Sequence, residues 1–168
     1  MKQLTLVRHA HAEKQDAELE DFERRLDKRG RREAEEMAAL ARALDLDPDH
    51  LLASPAVRTV STAKEFARAL GYPLPRIRHD DRLYLARRAT LAGIVAALPD
   101  SVRHVLVVGH NPGISELAAW LADDPALGDF PTAALCTLRA PTPRWGELGR
   151  GACERVRWRW PGDAPTRA

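Results

Sequence analysis

Two histidines in this chain each lie two residues after an apolar run. Residues 4–7 precede Arg8 and His9, and residues 104–108 precede Gly109 and His110. An imidazole can act as a nucleophile, an acid or base, or a metal ligand, and a guanidinium binds anions. Arginine beside histidine therefore suggests anion binding combined with nucleophilic or acid–base chemistry. A strand that ends in a solvated polar turn explains Arg8 and His9 about equally well.

A second arginine, Arg58, follows the pair Ser54-Pro55. Serine is a strong N-cap and proline favours the first helical position, so we expect a helix to begin here. Arg58 would then lie about one turn into that helix, where it can reinforce an anion site formed by the exposed amides. A solvated surface arginine is the alternative. The pattern of strand, Ser-Pro and helix favours the anion site.

These side chains need strands and helices to position them. Residues 4–7 and 104–108 lack polar alternation, which is typical of strands buried on both faces. Four helical stripes of apolar residues lie between and after them, and Asp27 and Asn111 are the expected caps of the first and the last. The stripes are Ala34, Met37, Ala38, Ala41 and Leu44; Ala63, Phe66, Ala67 and Leu70; Leu91, Ile94, Val95 and Leu98; and Ile114, Leu117, Ala118 and Leu121. The predicted fold class is α/β, with the ligand site at the carboxyl ends of the strands.

Length and composition limit the range of functions. The 168 residues fit a single domain, predicted over 1–162, followed by a disordered tail at 163–168. A net charge of +2 excludes strong global attraction to nucleic acid but permits local anion clamps. No apolar run is long enough to span a membrane. Without an export signal, the default expectation is a cytoplasmic protein with Cys136 and Cys153 reduced, although a disulfide stays possible.

Residues 154–160 alternate strictly between arginine and apolar or aromatic side chains. Val156, Trp158 and Trp160 fall on one face, and Arg155, Arg157 and Arg159 on the other. An aromatic and basic surface of this kind can bind nucleic acid. An edge strand with tryptophans inward and arginines in solvent explains the pattern without a partner, and we favour that interpretation.

Four motifs, in chain order, resemble those of one family. Residues 6–10 (Leu-Val-Arg-His-Ala) resemble the signature of the histidine phosphatase superfamily, in its RHA rather than RHG form. Ser54-Pro55 with Arg58-Thr59 and Thr62-Ala63 resembles its second motif, and residues 108–113 (Val-Gly-His-Asn-Pro-Gly) its second histidine motif. Residues 131–134 (Pro-Thr-Ala-Ala) are similar to a late segment of the small SixA-type members, the phosphohistidine phosphatases. The resemblance implies a phosphoglycerate mutase-like, three-layer α/β/α fold around a mostly parallel sheet.

The resemblance also implies a mechanism. His9 would accept a phosphoryl group as a covalent phosphohistidine that water then hydrolyses, and Arg8, Arg58 and His110 would bind the phosphate. An ordinary histidine is largely neutral at pH 7, as a nucleophile must be. Phosphoryl transfer depends mostly on positioning and charge, so we expect neither a metal nor another cofactor. The implied substrate is phosphohistidine on a signalling or carrier protein.

The region expected to supply a general acid departs from the family pattern. Many members supply a Glu or Asp after the second helix, where this chain has Asp80 and Asp81, followed by a Leu83-Tyr84 pair that resembles SixA-type sequences. Phosphorylated imidazole needs less protonation to leave than an alkoxide does, so a weak acid suits phosphohistidine.

The two longest segments that could cover the site, residues 13–25 and 141–151, are charged or rich in turns. We therefore expect a shallow, open pocket that suits a protein substrate.

Three other classes stay open. A phosphatase or mutase for small phosphomonoesters would need a working acid and an enclosing lid. A metal site could use His9, His11 and His110, but Arg8 and Arg58 would repel a cation. A non-enzymatic phosphoprotein-binding module would have little need for both histidines. The sequence indicates no particular oligomeric state.

Overall fold

A six-stranded sheet forms the centre of the protein, for which a computed structural model describes residues 1–163. The strands are β1 (Lys2–Arg8), β2 (His50–Ala53), β3 (Arg78–His79), β4 (His104–Gly109), β5 (Leu135–Ala140) and β6 (Glu154–Arg159). Their order is β3-β2-β4-β1-β5-β6. The first four strands pair in parallel, and β5 runs antiparallel to both of its neighbours. The mostly parallel sheet is confirmed. The disorder predicted for residues 163–168 falls, apart from Asp163, outside the described residues.

Four helices cover the two faces of the sheet: α1 (Lys28–Ala43), α2 (Val57–Leu70), α3 (Arg88–Ala96) and α4 (Gly113–Ala122). Successive strand residues face opposite sides. Leu6 therefore packs in the core beneath α3 and α4, and Val7 in the core beneath α1 and α2. The apolar runs of β1 and β4 are buried on both faces, as expected. The result is the predicted three-layer α/β/α architecture.

Only one of the three predicted helix caps is correct. Asp27 caps α1 by accepting a hydrogen bond from the backbone N–H of Gly30 at 2.8 Å. The helices α2 and α4 have Ala56 and Pro112 as their N-caps, and neither makes a side-chain cap hydrogen bond. Both helices therefore begin later than predicted.

The side chains expected to cap α2 and α4 have partners elsewhere. Ser54 Oγ lies 2.8 Å from Nε2 of His110. Asn111 Nδ2 donates to the carbonyl oxygen of Phe130 at 3.0 Å. These partners lie at the carboxyl ends of the strands, so both polar residues contribute to that end of the sheet.

The segment at residues 141–151 is at the other end of the sheet. It follows Ala140, which pairs with Lys2 at the start of β1. Its Trp145 is fully buried and donates from the indole N–H to the carbonyl of Val102. The prediction that this segment could cover the site is therefore wrong.

The edge strand β6 follows the favoured interpretation only in part. The ring of Trp158 packs on Phe130, with centroids 4.6 Å apart, so this tryptophan points inward. Trp160 follows the last strand residue and is 36% exposed. Trp160 is therefore not an inward-facing core residue.

Both cysteines are free and buried, and burial raises the pKa of Cys136 to about 12 and that of Cys153 to about 11. Within residues 1–163, no helix combines the length and apolar character needed to cross a membrane.

Candidate active site

The four residues singled out in the sequence lie together at the carboxyl ends of β1 and β4. Arg8 ends β1 opposite Gly109, which ends β4, so the histidine after each strand lies at the same edge. The backbone N–H of His9 donates to the Gly109 carbonyl at 3.0 Å. The imidazole rings of His9 and His110 have centroids 5.4 Å apart. Arg58, in the first turn of α2, reaches both rings.

His9 is held in one tautomer by its own backbone neighbour. Its Nδ1 lies 2.7 Å from the carbonyl oxygen of Ala10, which can only accept, so the proton is assigned to Nδ1. The lone pair is then on Nε2, which accepts from Nε of Arg58 at 3.4 Å. Burial, with the charges of Arg58 and Arg8 as smaller causes, lowers the pKa of His9 to about 4. His9 is therefore neutral at pH 7, with its free nitrogen directed at a guanidinium.

His110 has the opposite tautomer. Its Nδ1 faces Nη2 of Arg58 at 3.3 Å, and an arginine can only donate. The proton is therefore assigned to Nε2, which donates to Ser54 Oγ. Burial, followed by the effects of His9 and Arg58, lowers the pKa of His110 to about 3. His110 is likewise neutral at pH 7.

Arg58 is the centre of the cluster and is only 2% exposed. Besides its contacts with the two histidines, its Nη1 donates to the backbone carbonyl of Asp21 at 2.6 Å. Its Nη2 donates to the Asp21 carboxylate at 2.9 Å. All three nitrogens of the guanidinium therefore already have partners in this structure.

Arg8 has an unused donor. Its Nη1 donates to the carbonyl oxygen of Phe130 at 2.8 Å, but its Nε is buried without a hydrogen-bond partner. Across residues 1–163 this is the one buried side-chain nitrogen or oxygen left unsatisfied. An unsatisfied buried donor costs about 1–3 kcal/mol, which an anionic oxygen bound there would recover.

The structure adds two residues that the sequence did not single out for the site. Asp21 comes from the charged segment at residues 13–25, and its Oδ2 accepts from Tyr84 at 2.5 Å as well as from Arg58. Its Oδ1 accepts from Arg24 at 2.9 Å. Burial opposes ionisation, but these three donors outweigh it and hold the pKa of Asp21 well below its usual range.

The same segment covers the cluster. Phe22 packs edge-on against Tyr84, whose ring in turn packs edge-on against that of His110. His9 is 8% exposed and His110 is 3% exposed. The prediction of a shallow, open pocket is therefore wrong for this structure. No feature of the sequence distinguished Asp21, because acidic residues are frequent in this segment. Tyr84 was noted as part of a pair that resembles SixA-type sequences, but no role was assigned to it.

Neither predicted acid candidate lies in the cluster. The carboxylate of Asp80 accepts from Arg82, at 2.9 Å from the backbone N–H and at 2.7 Å from Nη2. This local turn uses the side chain of Asp80. Within the described part of the chain, neither Asp80 nor Asp81 hydrogen-bonds through its side chain to His9, Arg58 or His110. The carboxylate that contacts Arg58 is that of Asp21.

The third histidine of the alternative metal site has a different partner. His11 Nδ1 lies 2.5 Å from the carboxylate of Asp27, which also caps α1. Across residues 1–163, no three His, Cys, Asp or Glu side chains are grouped to hold a metal ion. The cluster instead combines a neutral imidazole lone pair with two guanidiniums, which is an arrangement for binding an anion and attacking it.

Comparison with known proteins identifies the family to which the motifs pointed. Residues 4–84 match the model of the histidine phosphatase superfamily (branch 1). An uncharacterized protein of Mycobacterium tuberculosis (strain H37Rv) is 32% identical over 159 residues, which span 89% of this chain and 96% of that protein.

Two solved structures have the same architecture. A protein of Agrobacterium tumefaciens assigned as the phosphohistidine phosphatase SixA has a TM-score of 0.82 at 28% identity, over 95% of this chain and 98% of its own. The protein assigned as SixA in Nakamurella multipartitia has a TM-score of 0.82 at 26% identity, over 96% of each chain. The chain therefore belongs to the histidine phosphatase superfamily, as a phosphatase with the architecture of its SixA-type members.

Proposed function

We propose that this phosphatase hydrolyses phosphohistidine on a protein, without a metal, through a covalent intermediate on His9. The lone pair on His9 Nε2 attacks phosphorus, and the bond from phosphorus to the substrate imidazole breaks. The departing nitrogen takes that electron pair. Water then attacks the phosphorus on His9, the bond from phosphorus to Nε2 breaks, and its electron pair returns to Nε2. Inorganic phosphate leaves, and the water proton passes to phosphate or solvent.

The arginines would bind the phosphoryl oxygens, and His110 would join them once its Nδ1, which carries a lone pair in this structure, takes up a proton. Arg8 has a buried donor without a partner, and Arg58 lies against the nitrogen that attacks. That nitrogen has a single lone pair, so the Arg58–His9 hydrogen bond must break as phosphorus approaches. The released N–H can then donate to a phosphoryl oxygen. Fixed positive charge of this kind stabilises the transition state without proton transfer.

The observation that carries the proposal is the set of three hydrogen-bond donors around the Asp21 carboxylate. Asp21 is the carboxylate hydrogen-bonded to Arg58, and Tyr84 and Arg24 also donate to it. A carboxyl group whose pKa is held this low cannot protonate an alkoxide at neutral pH. A phosphorylated imidazole that is already protonated on its other nitrogen leaves without such help. The site therefore suits phosphohistidine better than a phosphomonoester.

The test is hydrolysis of a phosphohistidine protein beside a panel of phosphomonoesters. We expect kcat/KM for phosphohistidine to exceed that for phosphoserine and sugar phosphates by a wide margin, and chelator to have no effect. Comparable or better rates on a small phosphomonoester would support the metabolite phosphatase instead. Failure to hydrolyse any phosphorylated compound would support a binding module.

The nucleophile is tested separately. Brief incubation with labelled substrate, followed by a quench that avoids acid, should trap phosphate on His9. His9→Ala should abolish both the label and turnover, while a matched change of the exposed His79 to alanine should leave both in place. Label on another residue would end the assignment. The single domain, the cytoplasmic location and the lack of nucleic-acid binding stay predictions.

A further inference from the structure

The exposed end of β6 lies at the same edge of the sheet as the active site. Val7 pairs with Leu135, and Leu135 pairs with Arg159. Strands β1 and β6 run in the same direction on either side of β5, so the residues after Val7 and Arg159, Arg8 and Trp160, lie at the same level. Two strand spacings separate them, which is about 10 Å.

A continuous line of contacts joins this end to the phosphate-binding cluster. Arg8 donates to the carbonyl of Phe130, and the Phe130 ring packs on Trp158. Trp158 in turn packs on Trp160, with ring centroids 5.5 Å apart. We call Arg157, Trp158, Arg159 and Trp160 the β6 surface. Although these side chains alternate between the two faces of β6, they line one open groove of about 310 Å³ along this outermost strand.

The chemistry of the β6 surface is that of a protein-binding site. Tryptophan and arginine are the residue types most enriched among interface residues that dominate binding energy. Arg159 has a carboxylate, that of Asp163, only at 3.8 Å, and within residues 1–163 Arg157 has none within 4.0 Å. Positive charge with little local compensation favours an acidic partner.

The backbone edge of β6 is shielded from pairing with another strand. Arg157 donates to the carbonyl of Val156, and Arg159 donates to that of Trp158. Arginines folded over the outer strand of a sheet oppose the addition of a further strand. A partner would therefore contact side chains here rather than extend the sheet.

From these observations we propose that the β6 surface docks the protein that carries the phosphohistidine, through an acidic patch beside the phosphorylated residue. This inference rests on the proposed function. A stable interface covers about 800 Å² of each partner, which is a disc of about 16 Å radius. An interface of that size centred on His9 reaches the β6 surface, whereas a free phosphorylated imidazole cannot reach it.

The experiment compares two substrates for each variant: a phosphohistidine-bearing carrier domain with an acidic surface, and free phosphohistidine. Trp160→Ala should lower kcat/KM for the carrier domain at least tenfold through KM, and leave free phosphohistidine unchanged. Arg157→Glu should do the same by charge reversal. The effect of Arg157→Glu should shrink as salt is raised, whereas that of Trp160→Ala should change little.

Trp120→Ala is the matched control. Trp120 is a partly exposed tryptophan on α4 with the guanidinium of Arg88 4.8 Å from its ring, but it lies near the end of α4 remote from His110. Trp120→Ala should not change kcat/KM for either substrate. Equal losses on both substrates, or no loss on the carrier domain in either β6 variant, would overturn the docking proposal alone. A wild-type protein that hydrolyses neither substrate would overturn the proposed function as well, and tight binding of an oligonucleotide to the β6 surface would favour the nucleic-acid interpretation.

Discussion

At His9, the nitrogen that we propose attacks phosphorus already accepts a hydrogen bond in the absence of substrate. Arg58 donates to its lone pair, and Asp21 holds Arg58 through both terminal nitrogens. The resting arrangement thus places a resident carboxylate on the guanidinium that a phosphoryl group would use. Asp21 and phosphate compete for the same donors.

Asp21→Asn should therefore tighten binding of inorganic phosphate. Replacing a charged acceptor by a neutral one weakens its hydrogen bonds by about 1 kcal/mol, which corresponds to roughly fivefold in affinity. The inhibition constant of phosphate as product measures this change. Asp80→Asn, which alters a carboxylate bound to Arg82 outside the cluster, should leave it unaltered. Weaker phosphate binding in Asp21→Asn would instead mean that Asp21 orients Arg58 for the anion.

Loss of either arginine should be far more costly than loss of Asp21. Arg8→Ala or Arg58→Ala should each reduce the rate by about 10²-fold or more, comparable to removing one oxyanion-hole donor. Lysine should rescue poorly, since a point charge cannot replace the Nε and Nη donors of Arg58 that face His9, His110 and Asp21 at once. Near-normal steady-state kinetics in an alanine variant would remove that arginine from the site.

Residue types and spacing were sufficient to find the part of the site that strands and helices deliver. His9 and His110 each follow an apolar run, and Arg58 follows a strand–turn–helix pattern. Asp21 could not be found, because the path of a charged loop depends on partners that are distant in sequence. Asp80 was misleading for a local reason: Arg82, two residues later, binds its carboxylate.

Helix α1 lies directly against the turn that follows β1, and Gly30 makes that approach possible. A Cβ atom at position 30 would lie 1.8 Å from the backbone oxygen of His11, whereas one at Gly93 in α3 would meet nothing within 4 Å. Helix α1 therefore packs against the turn that contains His9 and restricts its movement.

Gly30→Ala should destabilise the protein by about 1–3 kcal/mol or more, because backbone must move to admit the methyl group. Gly93→Ala, the matched change in open space, should stabilise it by up to about 1 kcal/mol through helix propensity. Urea unfolding of both variants measures the difference. Equal effects at the two positions would show that the turn yields easily to α1.

At the level of elements, the strand assignments from sequence succeeded where burial on both faces leaves an unbroken apolar run. The helix starts failed at Ser54 and Asn111, whose side chains bind His110 and the Phe130 carbonyl instead of helix amides. Cap propensity is a local preference, and a partner brought close by the fold overrides it. For the same reason, residues 141–151 could not be assigned to an end of the sheet before the pairing of β5 was known.

Across the whole molecule, three buried histidines link stability to pH. The pKa of His9 and of His104 is lowered to about 4 and that of His110 to about 3, in each case chiefly by burial. An unfolded histidine has a pKa near 6.5. Between these values the unfolded chain binds protons that the folded chain does not, so folding loses stability as the pH falls.

The free energy of unfolding should therefore be independent of these groups above about pH 7.5. From pH 6.5 towards 4 it should fall with a slope of up to about 4 kcal/mol per pH unit for three protons. Urea unfolding at a series of pH values measures the slope. His104→Gln, which lies away from the active site, should reduce the slope by about a third. A slope that is the same in this variant would show that His104 is not buried neutral in the folded protein.

The segment that forms the central strand β1 is synthesised early, but the last strand that pairs with it is synthesised late. The side chain of Thr5 bonds to His104 and Thr137, which follow it by 99 and 132 residues. At about 5–20 residues per second, a ribosome needs roughly 7–26 s to add the second of these partners. Before β4 is made, the apolar strand that ends at Arg8 has both edges unpaired, and until β5 is made one edge stays unpaired. An unpaired edge exposes a nascent chain to aggregation. A ribosome that stalls ahead of β5 would leave a polypeptide that contains His9, Arg58 and His110 but in which one edge of β1 is still unpaired.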